Sequence, residues 1–410
     1  MITYEEALAT ILSTVLPLPK QRVRLDKLLG CVLAEPAVTR TDLPHFDNSA
    51  VDGYGVCVSD LGGASIESPV RLKLAGVIQA GDAGDIQMSP GTTVKILTGA
   101  PVPAGVEAVV MLEYCDEQNG DVYVRQPVNP GENVRRRGEE FLRGQEVLES
   151  NIRVSPPVVG LLATLGYPSF MVYRRPRVAL ISTGNELVEP GKPLLPGQIY
   201  DSNSYALASA LSALGVEASF SLHARDDQAA TSKAFARAMS SCDVVISLGG
   251  VSVGDYDFVK DVVERLGVST IFWRIAMKPG KPVYFGQVES PPGSRQKLVF
   301  GLPGNPVSAL VTFHQLVRPA LLKMMGLEAV STMKLSATVK KSIRKRAGRL
   351  EFVRGALSTE NGQLYVQATS GQESHMLGGL SRADCLIYFE RDAELLAEGD
   401  QVAVELLNWG

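Results

Sequence analysis

Residues 243–266 read, in order, as a buried strand, a glycine pair, a polar cluster and an amphipathic helix. Asp243-Val-Val-Ile-Ser is apolar and β-branched, and Gly249-Gly250 stops it. Glycines at the carboxyl end of a strand let backbone approach a ligand closely, because no Cβ intervenes. Ser252, Asp255 and Asp257 follow at once. FVKDVVERLG then places Phe258, Val262 and Leu266 along one helical face. Open α/β sheets bind phosphate-bearing ligands at such strand ends. The alternative is that the glycines simply connect a strand to a helix.

The flanking chain repeats the pattern. RVALIST is a strand ended by Gly184-Asn185-Glu186, and SYALASALSALG is a helix that Ser202 or Asn203 would cap. VEASFSLHARDD is a strand ending in Asp226-Asp227, followed by a helix from 227 to 242. Beyond residue 266 come a strand through Ile271-Phe272-Trp273, the turn Met277-Lys-Pro-Gly-Lys-Pro, and the strand KLVFG. The series closes with Leu302-Pro-Gly-Asn-Pro and the long helix VSALVTFHQLVRPALLKMMG. This is a βαβ series with a largely parallel sheet. Glu186, Asp226, Asp227, Ser252, Asp257, Lys278, Lys281, Asn305 and Ser308 all fall at strand ends, so they are expected to converge on one sheet edge.

The rest of the chain is of other kinds. Thr3 and Glu6 have capping-box spacing ahead of a helix with an apolar stripe. Residues 69–128 are short apolar runs split by Gly, Pro and the hairpin signal Asn119-Gly120. Residues 144–162 return to scaffold character, so the β-rich part reads as an insertion between two halves of one domain. From about Leu335 alternating runs resume, as in a small barrel-like β domain. Two loops are denser in polar groups than a turn needs. LPHFDNSAVDGYGV presents Asp52 to a metal or ligand, or is an Asx-rich loop. NVRRRGEE is an anion and metal platform, or a salt-bridged surface loop.

Length and charge bound the function. A chain of 410 residues, 45% hydrophobic and 20% charged, should form two to four globular domains. A net charge of −4 gives no support for nucleic-acid binding. Five scattered cysteines without metal or redox spacing fit a reducing compartment. The start MITYEEALATILS has acidic residues where a signal peptide needs positive charge, and no apolar run is long enough to span a membrane. A cytoplasmic protein is expected.

The candidate groups suit anion chemistry. Lys278 and Lys281 flank Pro279-Gly280 and are followed by Pro282, so the ammonium groups are presented with little entropy to lose. With a helix N-terminus after Pro306 and the Ser308 hydroxyl they suit an oxyanion or phosphate. The carboxylates Glu186, Asp226, Asp227 and Asp257 suit Mg²⁺. No Ser-His-Asp set is recognisable, and His375, one of four histidines, reads as a packing or hydrogen-bonding group.

DNSAVDGYGV, TGAPVPAG, NVRRRGEE, STGNEL, YDSN, RDD, SLGGVSVGDYD, KPGKP and GLPGNPVS occur in this order and span essentially the whole chain. Together they resemble the molybdopterin molybdenumtransferase family, related to the gephyrin E-domain. The resemblance implies an α/β-plus-β multidomain fold. Its parts would be a split scaffold domain (1–42 and 141–175), an inserted β-rich domain (43–140), a three-layer α/β pterin-binding domain (176–328) and a C-terminal β-barrel domain (329–410). It also implies a homodimer with the site shared between subunits. The implied reaction takes adenylated molybdopterin and molybdate, hydrolyses the pterin phosphate–AMP bond with Mg²⁺, and places molybdenum on the dithiolene sulfurs.

By matching motifs, the resemblance assigns Asp52, Thr98 and Glu140 to the partner-supplied part of the site. Glu186, Asp226 or Asp227, and Asp257 would serve the nucleotide phosphates and Mg²⁺, with Asp52 and Glu140 as further ligands. Gly249, Gly250, Ser252 and Asn305 would contact substrate. Lys278, Lys281, Pro282, Ser308, Arg349 and Ser374 would surround molybdate. The chain departs from the family pattern at Glu140 and Asn185, where Asp is usual. Glu140 reaches one methylene further, and Asn185 supplies no charge. Two rival functions are a non-catalytic gephyrin-like scaffold or pterin carrier, and an enzyme that only adenylates molybdopterin or hydrolyses a nucleotide. Tungstate would replace molybdate with nearly the same size and charge.

Overall fold

A computed structural model describes residues 1–224, 228–250, 258–288 and 296–409. Asp226, Asp227, Ser252, Asp255 and Asp257 lie outside the described residues. The chain divides into two compact units. One comprises Met1–Glu35, Asn151–Val159 and Ser169–Gly410; the other comprises Pro36–Ser150 and Gly160–Pro168.

The larger unit is built on a six-stranded sheet. In spatial order its strands are Ala218–Ala224, Val178–Thr183, Val244–Leu248, Lys297–Leu302, Tyr284–Val288 and Val268–Trp273. The first four are mutually parallel, and Tyr284–Val288 runs against both its neighbours. Alternate residues face opposite layers. Val178, Leu180, Val244, Ile246, Leu298 and Phe300 pack toward helices Ser202–Ala213 and Pro306–Thr312. Ala179, Ile181, Val245 and Val299 pack against Phe235 and Ala238 of helix Gln228–Ser241 and Val259, Val262 and Val263 of helix Phe258–Arg265. Strands buried on both faces explain the near-continuous apolar runs. This is the expected three-layer α/β arrangement.

In the same unit, five strands close a barrel: Leu350–Glu360, Gln363–Ala368, Lys334–Val339, Gln401–Leu406 and Cys385–Phe389, the last pairing back to the first. Met277–Lys278 adds to Leu350–Glu351 in parallel, so the lysine turn of the α/β part hangs on the barrel's edge. The smaller unit contains a six-stranded sheet in which Asn119-Gly120 joins strands Cys115–Gln118 and Asp121–Val124 as a two-residue hairpin. The Thr3–Glu6 capping box is present on helix Tyr4–Thr14.

A buried polar network ties the larger unit together. The long helix after Pro306 contains a π turn at Phe313–Val317, ahead of Pro319, which has no N–H to give the Gln315 carbonyl. The turn carries His314 and Gln315. Gln315 accepts from the Tyr4 hydroxyl (2.7 Å) and donates to Glu405 (3.1 Å), which also accepts from the Tyr388 hydroxyl (2.5 Å). His314 Nδ1 lies 3.4 Å from the other Glu405 oxygen. Burial holds the His314 imidazole well below its ordinary pKa, and Glu405 only partly opposes this. The folded chain therefore keeps His314 neutral to lower pH than the unfolded chain does, and the unfolded state binds the extra proton as pH drops below about 6.5. Stability should decline across that range. In His314→Gln the urea midpoint should fall less steeply between pH 7 and 5 than in the wild type; parallel slopes would contradict this.

Candidate active site

The parallel strands end in a cleft of about 790 Å³. Its floor comes from three strand ends: Ser182, Thr183, Gly184 and Glu186; Leu248, Gly249 and Gly250; and Pro303, Gly304 and Asn305. Its walls come from Tyr200, Asp201 and Asn203, from Pro282, and from His375 of the barrel region. Gly249 and Gly250 have φ of +85° and +67°, and a Cβ on Gly250 would fall 2.6 Å from Val259. At Gly250 any other residue would force Val259 to move, and the pair leaves bare backbone at the cleft.

The turn 303–306 is tied on two sides. Asn203 Nδ2 donates to the Gly304 carbonyl at 2.6 Å, and Asn305 Nδ2 donates to Ser374 Oγ at 3.0 Å. The Val307 N–H also bonds the Ser374 carbonyl (3.1 Å). Helix Ser202–Ala213 is capped by Asp201, whose carboxylate accepts from the Ser204 N–H and hydroxyl. Ser202 and Asn203 were the expected caps. The carboxylate one residue earlier reaches two donors, and Asn203 is left to hold the Gly304 turn.

Of the candidate residues, Glu186, Gly249, Gly250, Pro282 and Asn305 share the cleft, and Ser374 is bonded to Asn305. Lys278, Lys281 and Ser308 are not in its lining. Lys281 is exposed next to Pro282, and Ser308 is buried in the first turn of the helix after Pro306. Lys278 pairs with Glu351 at 3.2 Å, and Arg349 lies two residues before Glu351. Gly280, between the lysines, has φ +110°, and a Cβ there would fall 2.5 Å from Thr312 Oγ1. A glycine is therefore obligatory in the turn.

In the smaller unit, one Asp52 oxygen accepts from both the N–H and the hydroxyl of Thr98, each at 2.7 Å. The Thr98 hydroxyl, then its N–H, hold this exposed carboxyl below the usual carboxylate range. The arginine run is a salt-bridged loop: Arg136 pairs with Asp47 (2.6 Å) and Arg137 with Asp42 (2.8 Å). Glu140 is exposed. Among the described residues, no group of three or more His, Cys, Asp or Glu side chains is gathered for a metal. Sequence reasoning gave Tyr200, Asp201 and His375 no place in the site, and Asn203 only a capping role. The YDSN motif counted toward the resemblance without a site role being taken from it, and a lone histidine carries no periodic signal.

Comparison with known proteins agrees along the chain. The MoeA N-terminal region (domain I and II) matches residues 2–166, a probable molybdopterin binding domain matches 179–323, and the MoeA C-terminal region (domain IV) matches 336–407. A molybdopterin molybdenumtransferase of Haemophilus influenzae is 38% identical over 100% of this chain and 99% of its own length. Molybdopterin molybdenumtransferase 2 of Mycobacterium tuberculosis is 39% identical over 93% of this chain and 94% of its own. The crystal structure of a molybdopterin biosynthesis protein from Pyrococcus horikoshii superposes with a TM-score of 0.81 at 29% identity, covering 99% of this chain and 100% of that one. The matches are full-length, span all the motifs in order and include the barrel, and on that ground the chain belongs to the molybdopterin molybdenumtransferase family of enzymes.

Proposed function

We propose that this enzyme takes adenylated molybdopterin and molybdate, hydrolyses the pterin phosphate–AMP bond in a Mg²⁺-dependent step, and leaves molybdenum on the dithiolene. The observation that carries the reading is the cleft itself. Backbone at Gly249-Gly250 and the Asn305 turn, with Glu186 in the same lining, suits a phosphate-bearing ligand at a parallel-sheet edge. The Asn305–Ser374 bond and the Met277–Leu350 pairing bring barrel residues beside it, where molybdate would be held by Lys278, Lys281, Pro282, Ser308, Arg349 and Ser374.

Molybdate and the dithiolene are both anionic, so the approach of sulfur to metal needs cations and N–H donors. The two lysines and Arg349 supply the first, and glycine-turn backbone the second. The donor set fits Mg²⁺: Glu186 is an exposed carboxylate in the cleft, and the Thr98 bonds keep Asp52 ionised. Asp52, Glu140, Glu186, Asp257 and Asp226, or Asp227 in its stead, would hold it. When bound, Mg²⁺ neutralises charge on the phosphoanhydride. In this reading Asp52, Thr98 and Glu140 come from a second copy of the chain, in a cytoplasmic homodimer of four-domain subunits.

The test is AMP release from adenylated molybdopterin by the purified protein. Release should require both molybdate and Mg²⁺. Glu186→Gln should lower it by about 100-fold or more, as loss of a charge-stabilising group does elsewhere. Tight substrate binding without release would identify a carrier or scaffold instead.

A further inference from the structure

His375 stands apart from the chain's other histidines. His45 Nδ1 contacts Thr41 Oγ1 and the Asp42 carbonyl, His314 belongs to the buried network, and His223 Nδ1 lies 3.4 Å from Ser182 Oγ. His375 is exposed, lines the 790 Å³ cleft, and makes no side-chain hydrogen bond among the described residues. A histidine kept for packing would be buried, and one kept for structure would be bonded.

Its backbone, by contrast, is firmly held. Arg354, only 1% exposed, donates from Nη2 to the carbonyls of Gly371 (2.8 Å) and Glu373 (3.5 Å) beneath the loop. Gln372 Nε2 donates to the carbonyls of Arg354 and Thr369, both at 2.9 Å. Asn305 and the Val307 N–H secure Ser374 from the other side. The loop is pinned on both flanks, while the exposed imidazole at the cleft is unengaged among the described residues. Fixed support under a free functional group is the arrangement a reacting side chain needs.

We propose that His375 accepts the proton of the water that attacks the phosphoanhydride, an inference that rests on the reaction proposed above. As the water oxygen bonds to phosphorus, one water proton passes to the free imidazole nitrogen. The P–O bond to the leaving phosphate breaks, its electron pair stays on the leaving oxygen, and the imidazolium later returns the proton to solvent. Among the described residues, two carboxylates share the lining. Asp201 is engaged by Ser204, and Glu186 is the proposed metal ligand. Glu373 is on the loop, and Arg354 and Arg382 bond it. His375 is the base left among the described lining residues.

The experiment is single-turnover AMP release at saturating adenylated molybdopterin, molybdate and Mg²⁺. His375→Gln should bind substrate as the wild type does but release AMP roughly 100-fold more slowly, the lower range for general-base catalysis. His375→Ala should be equally slow, and added imidazole should restore part of its rate. Release by His375→Gln at the wild-type rate would overturn the assignment. So would weaker binding with an unchanged saturated rate, which would leave the ring a binding role only. If the wild type releases no AMP, the proposed reaction fails, and the base with it; wild-type release beside an unimpaired variant sinks the base alone.

Discussion

Replacing Lys278 with alanine is expected to lower kcat/KM for molybdate by roughly 100-fold, because two effects act together. One is loss of the proposed charge-assisted contact to the dianion, about 1.5–3 kcal/mol. The other comes from Glu351. Its side chain is 13% exposed against 49% for Lys278, so the carboxylate is largely enclosed and the ammonium is its partner. Without Lys278 a bare negative charge would face the incoming anion. Glu351→Gln added to Lys278→Ala should therefore recover about tenfold of the loss, although it restores no cation. Steady-state assays of the two variants with molybdate as the varied substrate decide the matter. Wild-type kinetics in Lys278→Ala would reduce the pair to an ion pair of the barrel edge.

The largest effect on stability is expected at Asp243, and it should leave the chemistry alone. Asp243 is 3% exposed and precedes the central strand Val244–Leu248. Its carboxylate accepts both Arg174 Nη groups, at 2.8 and 2.9 Å, and the Arg177 N–H at 2.7 Å. Asp243→Ala would leave the largely enclosed guanidinium with only the Arg175 carbonyl (3.1 Å), and the Arg177 N–H without a partner. Breaking a buried pair by one member costs about 3–5 kcal/mol. The urea midpoint should fall accordingly, while AMP release per folded molecule stays at the wild-type rate. Asp243→Leu combined with Arg174→Met should regain most of the stability, since apolar replacement of a whole buried pair is often neutral. The Arg177 N–H would still lack its acceptor, so recovery should be incomplete. An unfolding free energy within about 0.5 kcal/mol of wild type in Asp243→Ala would contradict the account.

Much of the architecture was legible because apolar periodicity and glycine punctuation are local signals. Val244–Leu248 is buried on both faces, and its sequence is correspondingly apolar without alternation. Thr3 and Glu6 sit three residues apart and cap one helix, so spacing alone sufficed. What was illegible depends on distant partners. Nothing near Arg136 and Arg137 indicates that Asp47 and Asp42, about ninety residues earlier, pair with them. Asp201 displaced Ser202 and Asn203 as a helix cap because a neighbouring turn claims Asn203. The π turn at Phe313–Val317 sits inside a continuous helix pattern, with Pro319 as its local sign. His375 reads in sequence as a packing or hydrogen-bonding group because a single residue shows neither the cleft it lines nor its lack of side-chain bonds among the described residues.

The site was legible in part. Motif order led to Glu186, Gly249, Gly250, Pro282 and Asn305, and these share one cleft. It also led to Asp52 and Thr98, which are bonded to one another. The two lysines follow a different logic. Lys278 reads as a free cation in sequence, yet Glu351, seventy-three residues later, already engages it. A cation held by a fixed carboxylate is better positioned and partly neutralised, and the Lys278 and Glu351 variants separate these two consequences.

The measurement that tests the central claim most directly is the metal content of the pterin after one turnover. Enzyme loaded with adenylated molybdopterin and Mg²⁺ is given molybdate, and AMP and pterin-bound molybdenum are counted together over time. The account predicts that the two rise together, one molybdenum on pterin for each AMP released, with neither product when molybdate is omitted. AMP released at full rate while the pterin stays free of molybdenum would contradict it, and would make the protein a hydrolase of adenylated pterin.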